Sequence, residues 1–165
     1  MKSEKLKLVP AVLFAEEIKK ESIKLFYTED YLLYTGYFDC NPIIVSEDDQ
    51  GGTLNQFAVV YDERLIGYIS FRIDYYGSNA YNFGLISFEK GNINIGIALE
   101  RILDKIIYEY HIHRIEFRCI SGNPAKRSYD LFCKRFNGRC IELKDCFKDR
   151  TGKYRNEYIY EIIFD

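Results

Sequence analysis

Residues Phe83–Tyr110 read FGLISFEKGNINIGIALERILDKIIYEY: an apolar run, a polar loop with two glycines, then a strongly periodic stretch. In that last part Ile95, Leu99, Ile102, Leu103, Ile106, Ile107 and Tyr110 recur at the spacing of one buried helix face. Glu100, Arg101, Asp104, Lys105 and Glu109 fall on the other side. The FGLIS run carries no charge, which predicts a strand covered on both faces in the middle of a sheet. GNINIG joins the two. Amides at a helix start lack intrahelical partners and sit at the positive end of the helix dipole, so this joint suits a phosphate or diphosphate. Glycine at such a joint also has a plainer use, to make the turn, and the residues alone leave both readings open.

The rest of the chain sets the limits. Its 165 residues are enough for one domain, 1–165, with a sizeable core, and 47% hydrophobic with 29% charged residues is a globular balance. A net charge of −2 gives no basic footprint for nucleic acid or an anionic membrane. No apolar run reaches the length of a membrane span, and the start MKSEKLKLVPAVLFAEE is too charged for a signal peptide, so the expected location is the cytoplasm. The five cysteines, Cys40, Cys119, Cys133, Cys140 and Cys146, are odd in number and scattered, which favours reduced thiols packed as small hydrophobes. None stands at Cys-x-x-Cys spacing, and His111 and His113 have no carboxylate pattern beside them, so no metal is expected.

Working outward toward the N-terminus, Ala80–Phe88, Leu65–Tyr75 and Gln56–Tyr61 read as three antiparallel strands, the last two joined by a hairpin at Asp62-Glu63-Arg64. In the middle one, Ile66, Tyr68, Ser70, Arg72 and Asp74 are expected on one face. Tyr37–Asn55, with its acidic SEDDQ run, reads as a long loop. Before it stand a short helix Tyr31–Thr35, a helix Phe14–Phe26, and a first strand from Leu6 to Val9, or on to Val12. Toward the C-terminus Arg114–Ile120 is a strand. Asn123 and Pro124 open a helix carrying Tyr129, Phe132, Cys133 and Phe136, which Asn137-Gly138 ends. Cys140–Phe147 and Tyr154–Ile163 form a closing hairpin. The order predicts an α+β fold, an α/β/α sandwich: a mixed, mainly antiparallel sheet of six to seven strands with helices on both faces. The strands flanking the long helix are parallel neighbours if adjacent, and a ligand of pantetheine length would enter where they part.

Order and motif together resemble the GCN5-related N-acetyltransferase superfamily, in its ribosomal-protein and small-molecule acetylating branch, over about residues 56–163. The segments that carry the likeness are LIGYISF, LISFEKGNINIGIALERIL, GNPAKRSYDLF and KDRTGKYRNEYIYEI. The resemblance implies the acyl-CoA N-acyltransferase fold and transfer of acetyl from acetyl-CoA, as cosubstrate, to a primary amine by direct attack. It implies that main-chain groups of Leu85, Ile86 and Ser87 pair with pantetheine, with a backbone amide near Ile86 meeting the oxyanion. Gly91, Asn92, Ile93, Asn94, Ile95, Gly96 and Ile97 would form the diphosphate loop. There the family pattern Q/R-x-x-G-x-G/A is altered, with Gly91 and Asn94 at its first and fourth positions. Asn123 adds to the cofactor site. Tyr129, six residues on where the family has seven, is the implied general acid. Glu116, or Asp74, would be the base. The acidic loop at Glu47, Asp48 and Asp49 would attract a cationic acceptor, small molecule or peptide, and tyrosines on edge strands allow a homodimer. The altered loop keeps open an alternative, a catalytically weak or inactive domain that binds coenzyme A or another ligand as a sensor or interaction module. A third reading is a thiol enzyme using Cys119 or Cys133.

Overall fold

A computed structural model describes residues 5–28, 43–48 and 52–164. The expected short helix Tyr31–Thr35 lies outside them, as do Asp49 and part of the long loop. Strand β1 (Leu6–Pro10) leads through a 3-10 turn (Ala11–Phe14) into α1 (Ala15–Thr28). Then come β2 (Leu54–Tyr61), β3 (Arg64–Asp74) and β4 (Asn79–Ser87). Helix α2 (Ile93–Asp104) follows, widening into a π turn at Lys105–Glu109. The chain closes with β5 (Arg114–Ile120), α3 (Lys126–Arg135), β6 (Arg139–Lys148) and β7 (Tyr154–Ile163). One seven-stranded sheet results, in the order β1-β2-β3-β4-β5-β7-β6. Only β4 and β5 are parallel. The mixed, mainly antiparallel sheet with helices on both faces agrees with the expectation.

Periodicity explains the two layers. Ile95, Ala98, Ile102, Leu103 and Ile106 are buried against Ile69, Phe71 and Ile73 of β3 and Ile115, Phe117 and Cys119 of β5. Tyr110 does not join them; it stands past the π turn, 37% exposed, because the wider turn rotates the last apolar position out of line. Phe57, Phe71 and Phe83 stack across β2, β3 and β4 beneath α2, at centroid distances of 6.2 and 5.4 Å. On the other face a smaller cluster joins Ala11 and Ile18 to Ala58, Val60 and Tyr68.

Two bulges correct the simple alternation. Val59 and Val60 of β2 face Gly67 and Leu65, so Ile66 is an extra residue and turns to the α2 side with Ile69, away from Tyr68. The face expected to hold Ile66 with Tyr68 and Ser70 is therefore broken at that point. In β4, Tyr81 and Gly84 face Arg72 and Ser70, and the extra residue falls at Asn82-Phe83, where Asn82 has φ 52°. Asn is among the non-glycine residues that tolerate this conformation.

The β6–β7 hairpin is pinned by a buried carboxylate. Asp149 takes the Thr151 hydroxyl (2.6 Å), the Thr151 and Lys153 amides (2.9 and 3.0 Å) and Arg155 Nε (2.8 Å). The Thr151 hydrogen bond first, then Arg155 and the two amides, hold its pKa well below the usual carboxylate range despite burial. A depressed folded-state pKa gives stability that is complete above the unfolded value of about 3.9 and fades as pH falls through the folded one. Asp149→Asn will therefore lower the melting temperature at neutral pH and remove part of its fall below about pH 4. Thermal unfolding at a series of pH values checks this; parallel curves for the two proteins would contradict it.

Candidate active site

The β4 bulge makes the opening. Pairing of β4 with β5 is confined to Asn79–Arg114 and Ala80–Ile115. Beyond Asn82 the strands part. Phe88 donates its N–H to Ile66 O of β3 at 2.9 Å, and peptide groups along an antiparallel strand point alternately to either side. Ile86, two residues back and opposite Tyr68, thus turns its peptide to β3, while Leu85 and Ser87 turn theirs toward the gap. Among the three expected residues, the free main-chain groups are those of Leu85 and Ser87; the amide of Ile86 itself is spent on the ladder.

A cleft of about 170 Å³ occupies the gap, walled by Leu85 of β4, Gly96 and Leu99 of α2, Phe117 of β5, and Tyr129 and Phe132 of α3. It is mainly apolar, and Tyr129 sets its polar point. The ring is held edge-on by Phe117 (5.3 Å) and Tyr160 (6.2 Å). Its hydroxyl has no hydrogen-bond partner among the described residues. Burial, reinforced by the nearby Cys119, pushes its pKa up, so it stays protonated throughout the neutral range. An unpaired phenol O–H beside an apolar slot is a donor waiting for an acceptor. Tyr160 is different: its hydroxyl is already given to Asp130 at 2.7 Å.

The loop at the start of α2 is more self-contained than expected. Asn92 caps the helix, its Oδ1 accepting the Asn94 N–H at 3.0 Å; Ile95 N donates to Asn92 O, and Asn92 N to Glu89 O, both at 3.2 Å. Of the helix-start amides only that of Ile93 is unspent, together with that of Gly91, whose φ of +73° makes the turn. The expectation of a row of free N–H groups is corrected to two, because the Asn92 side chain satisfies its own helix. Glu89 also lies beside the loop, bonded to Asn92 Nδ2 at 2.8 Å and paired with Arg64 at 3.3 Å. A diphosphate here would have to displace the Asn92 cap. Asn92→Gly will keep the helix within a few tenths of a kcal/mol, since glycine is a tolerable N-cap, and will tighten binding of an anion at this loop. Titration with acetyl-CoA measures it, and weaker binding would show that the Asn92 side chain itself serves the ligand.

The remaining loop residues divide. Ile95 is a core residue packed over Gly67, where a Cβ would overlap its Cδ1. Ile93 and Ile97 are exposed, and Gly96 borders the cleft with open space where a Cβ would stand. Asn123 is buried and uses Oδ1 on the Ala125 N–H at 2.8 Å, a turn before α3; the helix begins only at Lys126, with Ala125 at its N-cap and no side-chain cap, so the capping expected of Asn123 is corrected.

Tyr129 and Glu116 are not brought together. Phe117 faces the cleft, so Glu116 lies across the sheet, its two oxygens in ion pairs with Arg114 (3.1 Å) and Arg118 (3.3 Å). Asp74 accepts the Tyr76 N–H in the turn after β3. Glu116 is thus spent on two arginines, and Asp74 serves its turn through one oxygen. The thiol reading is weakened as well. Burial pushes the Cys119 thiol up to about 11, against the thiolate a nucleophile needs, and its neighbour is the Tyr160 hydroxyl, not a histidine. Burial also raises the Cys133 pKa. The residues missed in the sequence were the apolar walls Leu99, Phe117 and Phe132, and Glu89 beside the loop.

No family model and no curated protein matches the sequence. Solved structures do match the fold. The ribosomal L7/L12 alpha-N-protein acetyltransferase RimL, in complex with coenzyme A, aligns at TM-score 0.72 and 16% identity, covering 99% of this chain and 96% of its own. The Microcin C7 self-immunity acetyltransferase MccE, with acetyl-CoA and AMP, aligns at 0.66 and 17%, covering 98% and 94%. Spermidine N-acetyltransferase SpeG from Vibrio cholerae aligns at 0.62 and 16%, covering 98% and 95%. The chain therefore has the fold of the GCN5-related N-acetyltransferases.

Proposed function

We propose that the chain is an N-acetyltransferase that moves acetyl from acetyl-CoA to a primary amine. The observation that carries this is the parting of β4 and β5, which leaves the peptide groups of Leu85 and Ser87 facing a slot that also receives an unpaired tyrosine hydroxyl. Such an arrangement suits an extended pantetheine chain, which takes up strand-like hydrogen bonds on one side and apolar contact on the other. The resemblance seen in the sequence and the acetyltransferases that share this fold point the same way.

In this reading the neutral amine nitrogen adds to the thioester carbonyl, whose oxygen turns to a gap-facing amide of β4, a donor fixed before reaction. That addition forms the C–N bond, and collapse of the tetrahedral adduct restores the carbonyl and breaks C–S. The nitrogen gives its proton to water, since Glu116 is held by two arginines and Asp74 serves the turn after β3. Tyr129 passes its hydroxyl proton to the departing sulfur, which leaves as the thiol, and regains a proton from the water that took the one on nitrogen.

Two measurements test the proposal. Acetyl-CoA at about 100 times its Kd should stabilise the protein by about 2.7 kcal/mol, seen as a rise in melting temperature. Free thiol should then appear with one or more members of an amine panel, above a blank for the protein's own cysteines. Binding without turnover on any amine would leave a ligand-binding module, and no binding would remove both. A cytoplasmic location belongs to the same reading; among the described residues no helix is long and apolar enough to cross a membrane. A homodimer would use the sheet edge β6, where Ile141 and Leu143 are exposed, and sedimentation as a monomer at micromolar concentration would dismiss it.

A further inference from the structure

Ile69, Phe71 and Ile73 face the core under α2, so Ser70 and Arg72 look out from the opposite face of β3. Other arginines of that face are paired. Arg114 meets Glu116 and Glu161 at 3.1 and 2.8 Å, Arg118 meets Glu116 and Glu157 at 3.3 and 3.1 Å, and Arg139 meets Glu161. Arg72 is half-buried and, among the described residues, has neither an ion pair nor a hydrogen bond. Asp74, two residues on, is turned instead to the Tyr76 N–H at 3.0 Å. Its guanidinium nitrogens are not among the buried unpartnered atoms, so they reach water and, with no counter-charge among the described residues, can take an anion from outside.

Its place gives that guanidinium a use. Arg72 pairs across the ladder with Tyr81, the residue before the bulge at which β4 leaves β5. Adjacent strands lie about 4.8 Å apart, so Arg72 stands one strand from the mouth of the opening, on the side away from α2. Ser70 lies opposite Gly84, where a Cβ would come within 2.8 Å of the serine Oγ. The missing side chain keeps that hydroxyl against β4.

Resting on the acetyl-transfer reading, we infer that Arg72, with Ser70, receives a carboxylate carried by the acceptor. The planar fork of a guanidinium matches a carboxylate with two parallel hydrogen bonds, which fixes the attached amine in direction as well as place. The acceptor class is then an amine with a carboxylate close by, as in an amino acid or a short peptide. A polyamine would bring only positive charge to Arg72. Among the described residues the exposed Glu47 and Asp48, on the loop whose Ser46 N–H bonds Gln56, also lie near this face, where solvent screens them, while Glu116, Glu157 and Glu161 are held by Arg114, Arg118 and Arg139.

The test compares acceptors matched in their amine: amino acids, the corresponding amides, and spermidine, with thiol release as readout. The wild type should favour the free acids over the amides by at least about tenfold in kcat/KM. Arg72→Met, which keeps an apolar stem, should bring that ratio close to one, and Arg72→Lys should retain part of it. Equal rates on acids and amides in the wild type, or an unchanged ratio in Arg72→Met, would overturn the inference and leave acetyl transfer standing. If no acceptor is turned over, thermal shift with the same amino acids and amides decides. A shift by acids alone that Arg72→Met abolishes supports the carboxylate site while removing the enzyme, and no shift overturns both.

Discussion

Tyr129→Phe will lower turnover by about 100-fold or more while leaving the melting temperature near that of the parent, provided acetyl transfer is the activity. Loss of a positioned proton donor costs about 10²–10⁴ in rate. The stability expectation follows from the surroundings. The ring makes its contacts with Phe117 and Tyr160 through carbon, and the hydroxyl has no partner among the described residues to leave stranded. Removing it deletes a group that does nothing for the free fold. The KM for acetyl-CoA should change little, because the hydrogen bond strengthens only as sulfur gains negative charge. Slow turnover limited to Tyr129→Phe, with Tyr160→Phe instead losing stability through its Asp130 hydrogen bond at 2.7 Å, would separate the two buried phenols. Unchanged kcat in Tyr129→Phe would remove Tyr129 from the chemistry. Because burial raises its pKa, Tyr129 should add no alkaline limb to the rate profile below about pH 10, where an ordinary tyrosine begins to ionise.

What could be read from the sequence follows from the range of each signal. The strand β5 and the closing strand β7 occupy Arg114–Ile120 and Tyr154–Ile163, as expected, because alternation and flanking turn residues are local. The buried face of α2 was legible up to Ile106 for the same reason, and failed at Tyr110, where a π turn shifts the phase without changing the composition. The bulges at Ile66 and Asn82-Phe83 were not legible. One extra residue in a strand is defined by its partner strand, and a period of two looks the same on either side of it. The candidate site inherits this difficulty, since the opening between β4 and β5 depends on the second bulge. Tyr129 was legible by its place in a motif. The spent amides of the α2 loop were not, since they depend on the rotamer of Asn92. Pairing was hidden too: Glu116 looks like a free base until the register sets it between Arg114 and Arg118, and Arg72 looks like any strand arginine until it is left with no acid.

Gly96→Leu should separate folding from binding most sharply. Gly96 lies in the first turn of α2 without a positive φ, so its backbone is ordinary helix, and a Cβ there would meet nothing within 4 Å. Glycine inside a helix costs about 0.8–1.0 kcal/mol relative to alanine, and leucine ranks close to alanine. The free variant should therefore melt higher, by roughly 2–4 °C for a chain of this size. The same open space is the cleft edge, across from Leu85 and Tyr129. A four-carbon side chain at that edge fills a slot of about 170 Å³ where the thioester arm is proposed to run. Acetyl-CoA affinity should fall by about 100-fold or more, the scale of a ligand forced against a packed wall. Gly96→Ala gives the intermediate case, with most of the stability gain and a small part of the binding loss. Both readouts come from one set of melting curves, with and without acetyl-CoA. A stabilised Gly96→Leu that still shifts fully with acetyl-CoA would place the ligand somewhere other than this cleft, and the roles given to Leu85, Ser87 and Tyr129 would fall with it.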